Sequence, residues 1–282
     1  NESSLSYYFV AEMAKEDVKV LLNGQGSDEL FGGYDRYLGL YYSEKYPLLI
    51  QLLNKIWNKF TIFDSNRQYQ LKKLDEIVHL KTFEQKYLFT SSVLPINDLI
   101  NILKKDFLFD INNESLYENS RAITHLDKNN ENIENFFICD MFNTLSENLL
   151  LAEDKMNMAE SIEARVPLLD IEFVKAALEI PVEFKIRKNS GKYILKKVAE
   201  KYLPKDMIYK KKIGFDTPMQ KWMKQKTGEK LRDLINSENS ISNNYLRKDE
   251  IIKMIKANNE NKINYEKFLF LLLSLEMWRE MF

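Results

Sequence analysis

Apolar residues recur along most of the chain at three- and four-residue steps, the period of an amphipathic helix. Leu5, Phe9 and Met13 define one face of an opening helix. Leu49, Leu52, Leu53, Ile56, Trp57 and Phe60 define another, with Lys55 and Lys59 opposite. Residues 263–282 are apolar nearly all round, which predicts a helix inside the core. Val18 to Leu22 follows a different pattern, a short apolar run with β-branched residues that stops at Asn23-Gly24. That run predicts a strand; a helix, a short apolar strand and a glycine turn form the end of a βαβ unit. No comparable strand is legible beside it. The expectation is therefore a mainly α body with at most a remnant of a parallel sheet, the other strands falling before Asn1. Residues 110–134 and 236–244, rich in Asn and Ser, predict surface loops.

Composition narrows the function classes. The chain has 282 residues and is 45% hydrophobic, enough for one large domain or two small ones. A net charge of -1, from 41 basic and 42 acidic residues, argues against a nucleic-acid-binding field or a polybasic membrane patch. With 8 Gly and 6 Pro, an all-β sandwich with many tight turns is disfavoured. Cys139 is the sole cysteine, so there is neither an internal disulfide framework nor a thiolate zinc site. It suits a reducing compartment, predicts a cytoplasmic protein, and reads as a small buried hydrophobe in Phe136-Phe137-Ile138-Cys139. His79 and His125 are too far apart in sequence to form a ligand pair and are expected to be structural or solvated. Asn1 to Ser4 has no signal-peptide character, and the strongest apolar run, Phe268 to Leu273, is too short to span a bilayer.

Three segments carry candidate chemistry. In Asn23-Gly24-Gln25-Gly26-Ser27-Asp28-Glu29-Leu30-Phe31-Gly32-Gly33-Tyr34, glycines follow a strand, at the place where α/β proteins seat ligands. Asp28 and Glu29 beside a phosphate would require a divalent cation between them. A nucleotide turn with a magnesium carboxylate is one reading; a strand-to-helix turn with Asp28 as its N-cap is the other. In Glu153 to Asp170, Glu163 and Arg165 are two residues apart and would not face each other on a helix. Each then needs a partner elsewhere, either a substrate carboxylate for Arg165 or structural ion pairs. The third segment runs from Tyr209 through Lys210, Lys211 and Lys212 to Gly214-Phe215 and Trp222; its lysines form either a solvated face or a contact for polyphosphate.

Together these segments resemble the asparagine synthetase family, specifically its C-terminal synthetase domain. The first is similar to S-G-E-G-x-D-E-L-F-G-G-Y. The second is similar to D-[RK]-x-x-M-x-x-S-[LI]-E-x-R-V-P-[FL]-L-D, through Asp154, Lys155, Met158, Ser161, Ile162, Glu163, Arg165, Val166, Pro167, Leu169 and Asp170. The third is similar to K-x-G-F-x-x-P-x-x-x-W, through Lys212, Gly214, Phe215, Pro218 and Trp222. Leu272 to Trp278 resembles the family's last helix, and the order and spacing of all four agree.

The resemblance implies the helical C-terminal part of an α/β, PP-loop nucleotide-binding synthetase domain spanning residues 1–282. It implies ATP-dependent conversion of aspartate to asparagine through an acyl-adenylate, with magnesium on the phosphates and ammonia from a glutaminase domain. Asn23, Gly24 and Gly26 would form the nucleotide turn, and Asp28 would help hold magnesium and pyrophosphate. Lys212 would neutralise phosphate charge, and Glu163 and Arg165 would shape the acyl-substrate site. Gln25 occupies the catalytic position where the family carries glutamate; glutamate can act as a base for the incoming amine and glutamine cannot. Gln25 therefore opens a second substrate class, a cell-surface or peptide carboxylate.

The family's S-G-G-x-D-S phosphate loop and its glutaminase domain have no counterpart in these residues, and Cys139 does not stand in for the glutaminase nucleophile. The expectation is a domain truncated at its N-terminus that alone neither binds ATP tightly nor makes amide, with a homodimer as one way to cover an orphan sheet edge. A non-catalytic helical module is the alternative from another class.

Overall fold

The computed structural model describes residues 3–57, 65–108, 132–210 and 217–281. The described chain is mainly helical, with a two-stranded parallel sheet. Strand β1, Val20–Leu22, pairs with β2, Glu163–Arg165, in the register Val20–Glu163, Leu21–Ala164, Leu22–Arg165. The expected strand is present in shortened form, and it has a neighbour that its sequence conceals. Glu-Ala-Arg alternates charged, small and charged residues, so hydrophobicity gives no strand signal there.

Three apolar clusters hold the helices. One joins Ile102, Leu231, Ile235, Ile251 and Ile255 to Leu269 and Leu272 of the C-terminal helix Glu266–Met281. Trp222 packs against it, following Pro218, which caps helix Met219–Met223. A second gathers Tyr37, Leu40, Phe83, Phe136 and Phe137 around the buried thiol of Cys139. Burial and the neighbouring Asp140 push that thiol up to about 12, so it behaves as the expected small hydrophobe. The third, Leu30, Phe31 and Ala177, packs beneath the turn that follows β1.

Several expected apolar faces turn outward. In helix Ser3–Ala14, Tyr7 and Ala11 are buried, whereas Phe9 and Met13 are exposed. Helix Pro47–Trp57 buries Ile50 and leaves Leu49, Leu52, Leu53 and Ile56 exposed. The C-terminal helix buries Phe268, Leu269, Leu272 and Leu273 but exposes Leu271, Met277, Trp278 and Met281, so it lies against the core by one face. Apolar periodicity records which residues gain from burial; which face is covered depends on where a partner element lies.

The Asn- and Ser-rich stretch 236–244 is also drawn inward. Ser240 and Ser242 are buried, and Glu276 accepts from Ser240 Oγ at 2.7 Å and from the Ser242 N–H at 2.8 Å. Most of the other expected loop lies outside the described residues, as does His125; Ile133 and Glu134 belong to helix Ile133–Asp140, capped by Asn132. His79 is exposed, its Nδ1 2.7 Å from the Asp75 carbonyl. Helix Ile133–Asp140 continues into a π-helix, Met141–Leu150, and then into helix Leu151–Ala159. This rod packs on helix Ser3–Ala14 and carries polar side chains to the turn after β1. Among the described residues no helix is long and apolar enough to cross a membrane.

Candidate active site at the ends of the parallel strands

The two strands run in the same direction and end together, with the Asn23 N–H donating to the Arg165 carbonyl at 3.0 Å. The ends of parallel strands are where such sheets offer side chains to ligands. Asn23 shapes the turn itself, because its Oδ1 accepts from the Gln25 N–H at 2.9 Å. Asn23 Nδ2 donates to Glu153 Oε1, and Gln25 Nε2 donates to the Tyr7 hydroxyl at 2.6 Å. Gly26 has φ +86°, and a Cβ there would come within 2.2 Å of Leu169 Cδ2. The 3₁₀ turn Pro167–Leu169 thus closes on the glycine turn, and Asp170 at its end caps helix Ile171–Glu179 by accepting from the Glu172 and Phe173 N–H groups.

Gly26, not Asp28, is the N-cap residue of the short helix Ser27–Phe31, which overturns the expected structural role of Asp28. Asp28 lies inside that helix, with Oδ1 2.9 Å from Lys192 Nζ. Lys192 also donates to Ser27 Oγ at 2.9 Å. Gly33 makes room for this pair, since a Cβ there would lie 2.1 Å from Asp28 Oδ1 and 2.2 Å from Lys192 Cε. The sequence reading missed Lys192; a lysine directly after Gly191 and shortly before a helix was its sole signal.

Behind Asp28, Glu29 is buried and accepts from the Tyr34 hydroxyl. Burial raises its pKa, and that hydrogen bond offsets part of the rise. Arg36 stacks over Tyr34, 4.7 Å from the ring centre, and pairs with buried Asp140 at 2.7 Å. Asp140 also accepts from Tyr37 and, at 3.0 Å, from Thr144. A continuous polar network therefore ties the E-L-F-G-G-Y part of the segment to the start of the π-helix.

Glu163 and Arg165 partner each other, with Arg165 Nε 2.7 Å from Glu163 Oε1, which corrects the expectation that each needs a partner elsewhere. That expectation assumed a helix; on strand β2, residues two apart share a face. Both are exposed, and the pair lowers the Glu163 pKa through the Arg165 hydrogen bond and charge. Lys212, with residues 211–216, lies outside the described residues, and Lys210 is exposed.

The structure thus brings together Asn23, Gly24, Gln25, Gly26 and Asp28, with Arg165 at the end of the neighbouring strand and Glu163 at its start, joined by their ion pair. Among the described residues no group of three or more His, Cys, Asp or Glu side chains could hold a metal. The donors present fit magnesium as one carboxylate, Asp28, added to phosphate oxygens, the usual way this ion is held beside a nucleotide. A separate open cavity of about 440 Å³ is lined by Tyr41, Tyr42, Tyr46, Arg187 and neighbours and contains none of these residues.

Comparison with known proteins identifies the family. The asparagine synthase family model matches residues 1–280. Asparagine synthetase [glutamine-hydrolyzing] 1 of Bacillus subtilis is 28% identical over 290 residues, covering 98% of this chain and 42% of that protein. A putative asparagine synthetase [glutamine-hydrolyzing] of Mycobacterium bovis is 27% identical, over 77% of this chain and 32% of its own length. Asparagine synthetase [glutamine-hydrolyzing] 3 of Bacillus subtilis is 26% identical, over 91% of this chain and 35% of its own. The chain spans less than half the length of each of these relatives. With the family model matched almost end to end and the family's first two motifs converging on one turn, the chain belongs to the asparagine synthase family.

Proposed function

We propose that residues 1–282 form the C-terminal part of a PP-loop synthetase domain, in a cytoplasmic enzyme that makes an amide from a carboxylate and ATP. Aspartate is the first substrate to test, with ammonia delivered from glutamine by another part of the enzyme. The observation that carries this reading is the convergence of the Asn23–Asp28 turn, Lys192 and Arg165 where β1 and β2 end.

In this reading a carboxylate oxygen of the substrate attacks the α-phosphorus of ATP, and pyrophosphate leaves with the electron pair of the broken P–O bond. Ammonia then attacks the acyl carbon, the C–O bond to AMP breaks, and nitrogen loses one proton. Asn23, Gly24 and Gly26 border the nucleotide. Apart from its chain neighbours, a Cβ at Gly24 would meet no heavy atom of the described residues within 4 Å, so packing among them does not demand glycine there. Asp28 faces the phosphates, where magnesium, when bound, offsets their charge. Lys192, already beside Asp28, shares its charge with departing pyrophosphate, and Lys212 adds a second cation. Arg165 leaves Glu163 for the substrate carboxylate; an exposed ion pair in water is weak enough to exchange partners.

Gln25 supports a second substrate class, a cell-surface or peptide carboxylate, because it removes the carboxylate that the family motif places at that position. The test is carboxylate-dependent exchange between labelled pyrophosphate and ATP, followed by amide formation, using the full-length polypeptide that contains this chain. Exchange with aspartate and production of asparagine is the expected result. Exchange only with a larger carboxylate selects the second class, and no exchange with any carboxylate overturns the proposal. The 282 residues alone are expected to give neither exchange nor amide.

A further inference from the structure

A buried carboxylate stands directly behind the turn, at a position the family motifs do not include. Glu153 belongs to helix Leu151–Ala159 and is 6% exposed. Its Oε1 accepts from Asn23 Nδ2, while its Oε2 is buried without a hydrogen-bond partner. Both oxygens of a carboxylate are acceptors, and leaving one buried and unpaired is costly. Burial raises the Glu153 pKa, and the hydrogen bond from Asn23 lowers it in part. An unpartnered buried polar atom calls for an explanation, and a role in the site is one.

Gln25, at the same turn, carries a carboxamide where the family motif has glutamate. Tyr7, Asn23, Gln25 and Glu153 therefore form one hydrogen-bonded cluster with a single carboxylate, and that carboxylate comes from the helix instead of the turn. We infer that Glu153 replaces, from behind the turn, the carboxylate missing at position 25, as a positioning residue for the nitrogen-addition step. As a pure acceptor it fixes the Asn23 amide with Nδ2 inward, which leaves Asn23 Oδ1 to hold the Gln25 N–H. When ionised, it also sets one negative charge beside the turn where the nitrogen nucleophile arrives. This inference rests on the amide-forming reading above.

The test uses the full-length polypeptide, with pyrophosphate exchange and amide formation from ammonium chloride measured separately. Glu153→Gln keeps an acceptor for Asn23 Nδ2, removes the charge and turns the other oxygen into an NH2 donor. It is expected to leave exchange within about twofold while lowering amide formation and raising the ammonium KM, roughly ten- to a hundredfold in kcat/KM. Gln25→Glu alone places two carboxylates in one cluster and is also expected to slow amide formation. The double variant Gln25→Glu/Glu153→Gln restores a single carboxylate and is expected to recover to within about threefold of the wild type.

Unchanged amide formation in Glu153→Gln overturns the inference. So does a folded double variant that exchanges pyrophosphate normally but makes amide no faster than the Glu153→Gln enzyme; Glu153 is then only a tie between turn and helix. If Glu153→Gln does not fold, Gln25→Glu decides alone: normal pyrophosphate exchange with amide formation at the wild-type rate overturns the inference. Absence of exchange in the wild type instead defeats the amide-forming reading, and this inference with it.

Discussion

Gly24 and Gly26 are two residues apart and answer to different constraints. At Gly26 the backbone is left-handed and a Cβ would press into Leu169, so glycine is required by the fold. At Gly24 neither condition holds. Gly26→Ala is expected to destabilise the chain by about 2 kcal/mol through backbone strain and displacement of Leu169. Gly24→Ala should leave stability unchanged or raise it by about 0.5 kcal/mol. In the full-length polypeptide the same alanine should slow pyrophosphate exchange. Urea denaturation of both variants, with exchange assayed on Gly24→Ala, checks the pair; equal destabilisation at the two positions would show that Gly24 also serves packing. The sequence marks both glycines alike, because it records residue type and not which neighbour fills the space beside each one.

At the scale of elements, the rod from Ile133 to Ala159 organises the site from behind. Its first α segment ends at Asp140, its π segment begins at Met141, and Glu153 lies just beyond the π segment. π-helices are rare and frequently mark functional regions. Asp140 binds the rod to helix Asp35–Lys45 through Arg36 and Tyr37, and to helix Phe83–Ser91 through Tyr87 at 3.3 Å. Asp140→Ala leaves the Arg36 guanidinium without its buried partner and is expected to cost about 3–5 kcal/mol, read as a lower urea midpoint. Loss of less than about 1 kcal/mol would mean that the aromatic packing of Tyr37 on Phe137, not the charge network, holds this junction. None of this was legible in the sequence, where Asp140 is one acid in an apolar stretch and the π register has no residue signature.

The whole molecule has an open side. Val20, Leu22, Glu163 and Arg165 share one face of the parallel pair and all are exposed, Leu22 by 71%. Parallel sheets are ordinarily covered on both faces. The matched relatives are more than twice as long as this chain, so polypeptide is available to cover the face in a longer protein. In the 282-residue chain Leu22→Lys should change stability by less than about 0.5 kcal/mol. In the full-length polypeptide the same change should cost about 1.5–3 kcal/mol, the value of burying a leucine. Thermal unfolding of the two pairs of proteins tests this, and equal small effects in both would mean that the face stays in water.

The sequence by itself determined the helical body, strand β1, the glycine turn and the motif residues around it, because these follow from local propensity and from residue types at short spacing. Only the tertiary structure decided that Glu163–Arg165 is the partner strand, that those two residues pair with each other, that Lys192 reaches Asp28, and that Glu153 stands behind Gln25. Each of these depends on chain segments distant in sequence meeting at one place, and residue spacing carries no information about distances that packing alone sets.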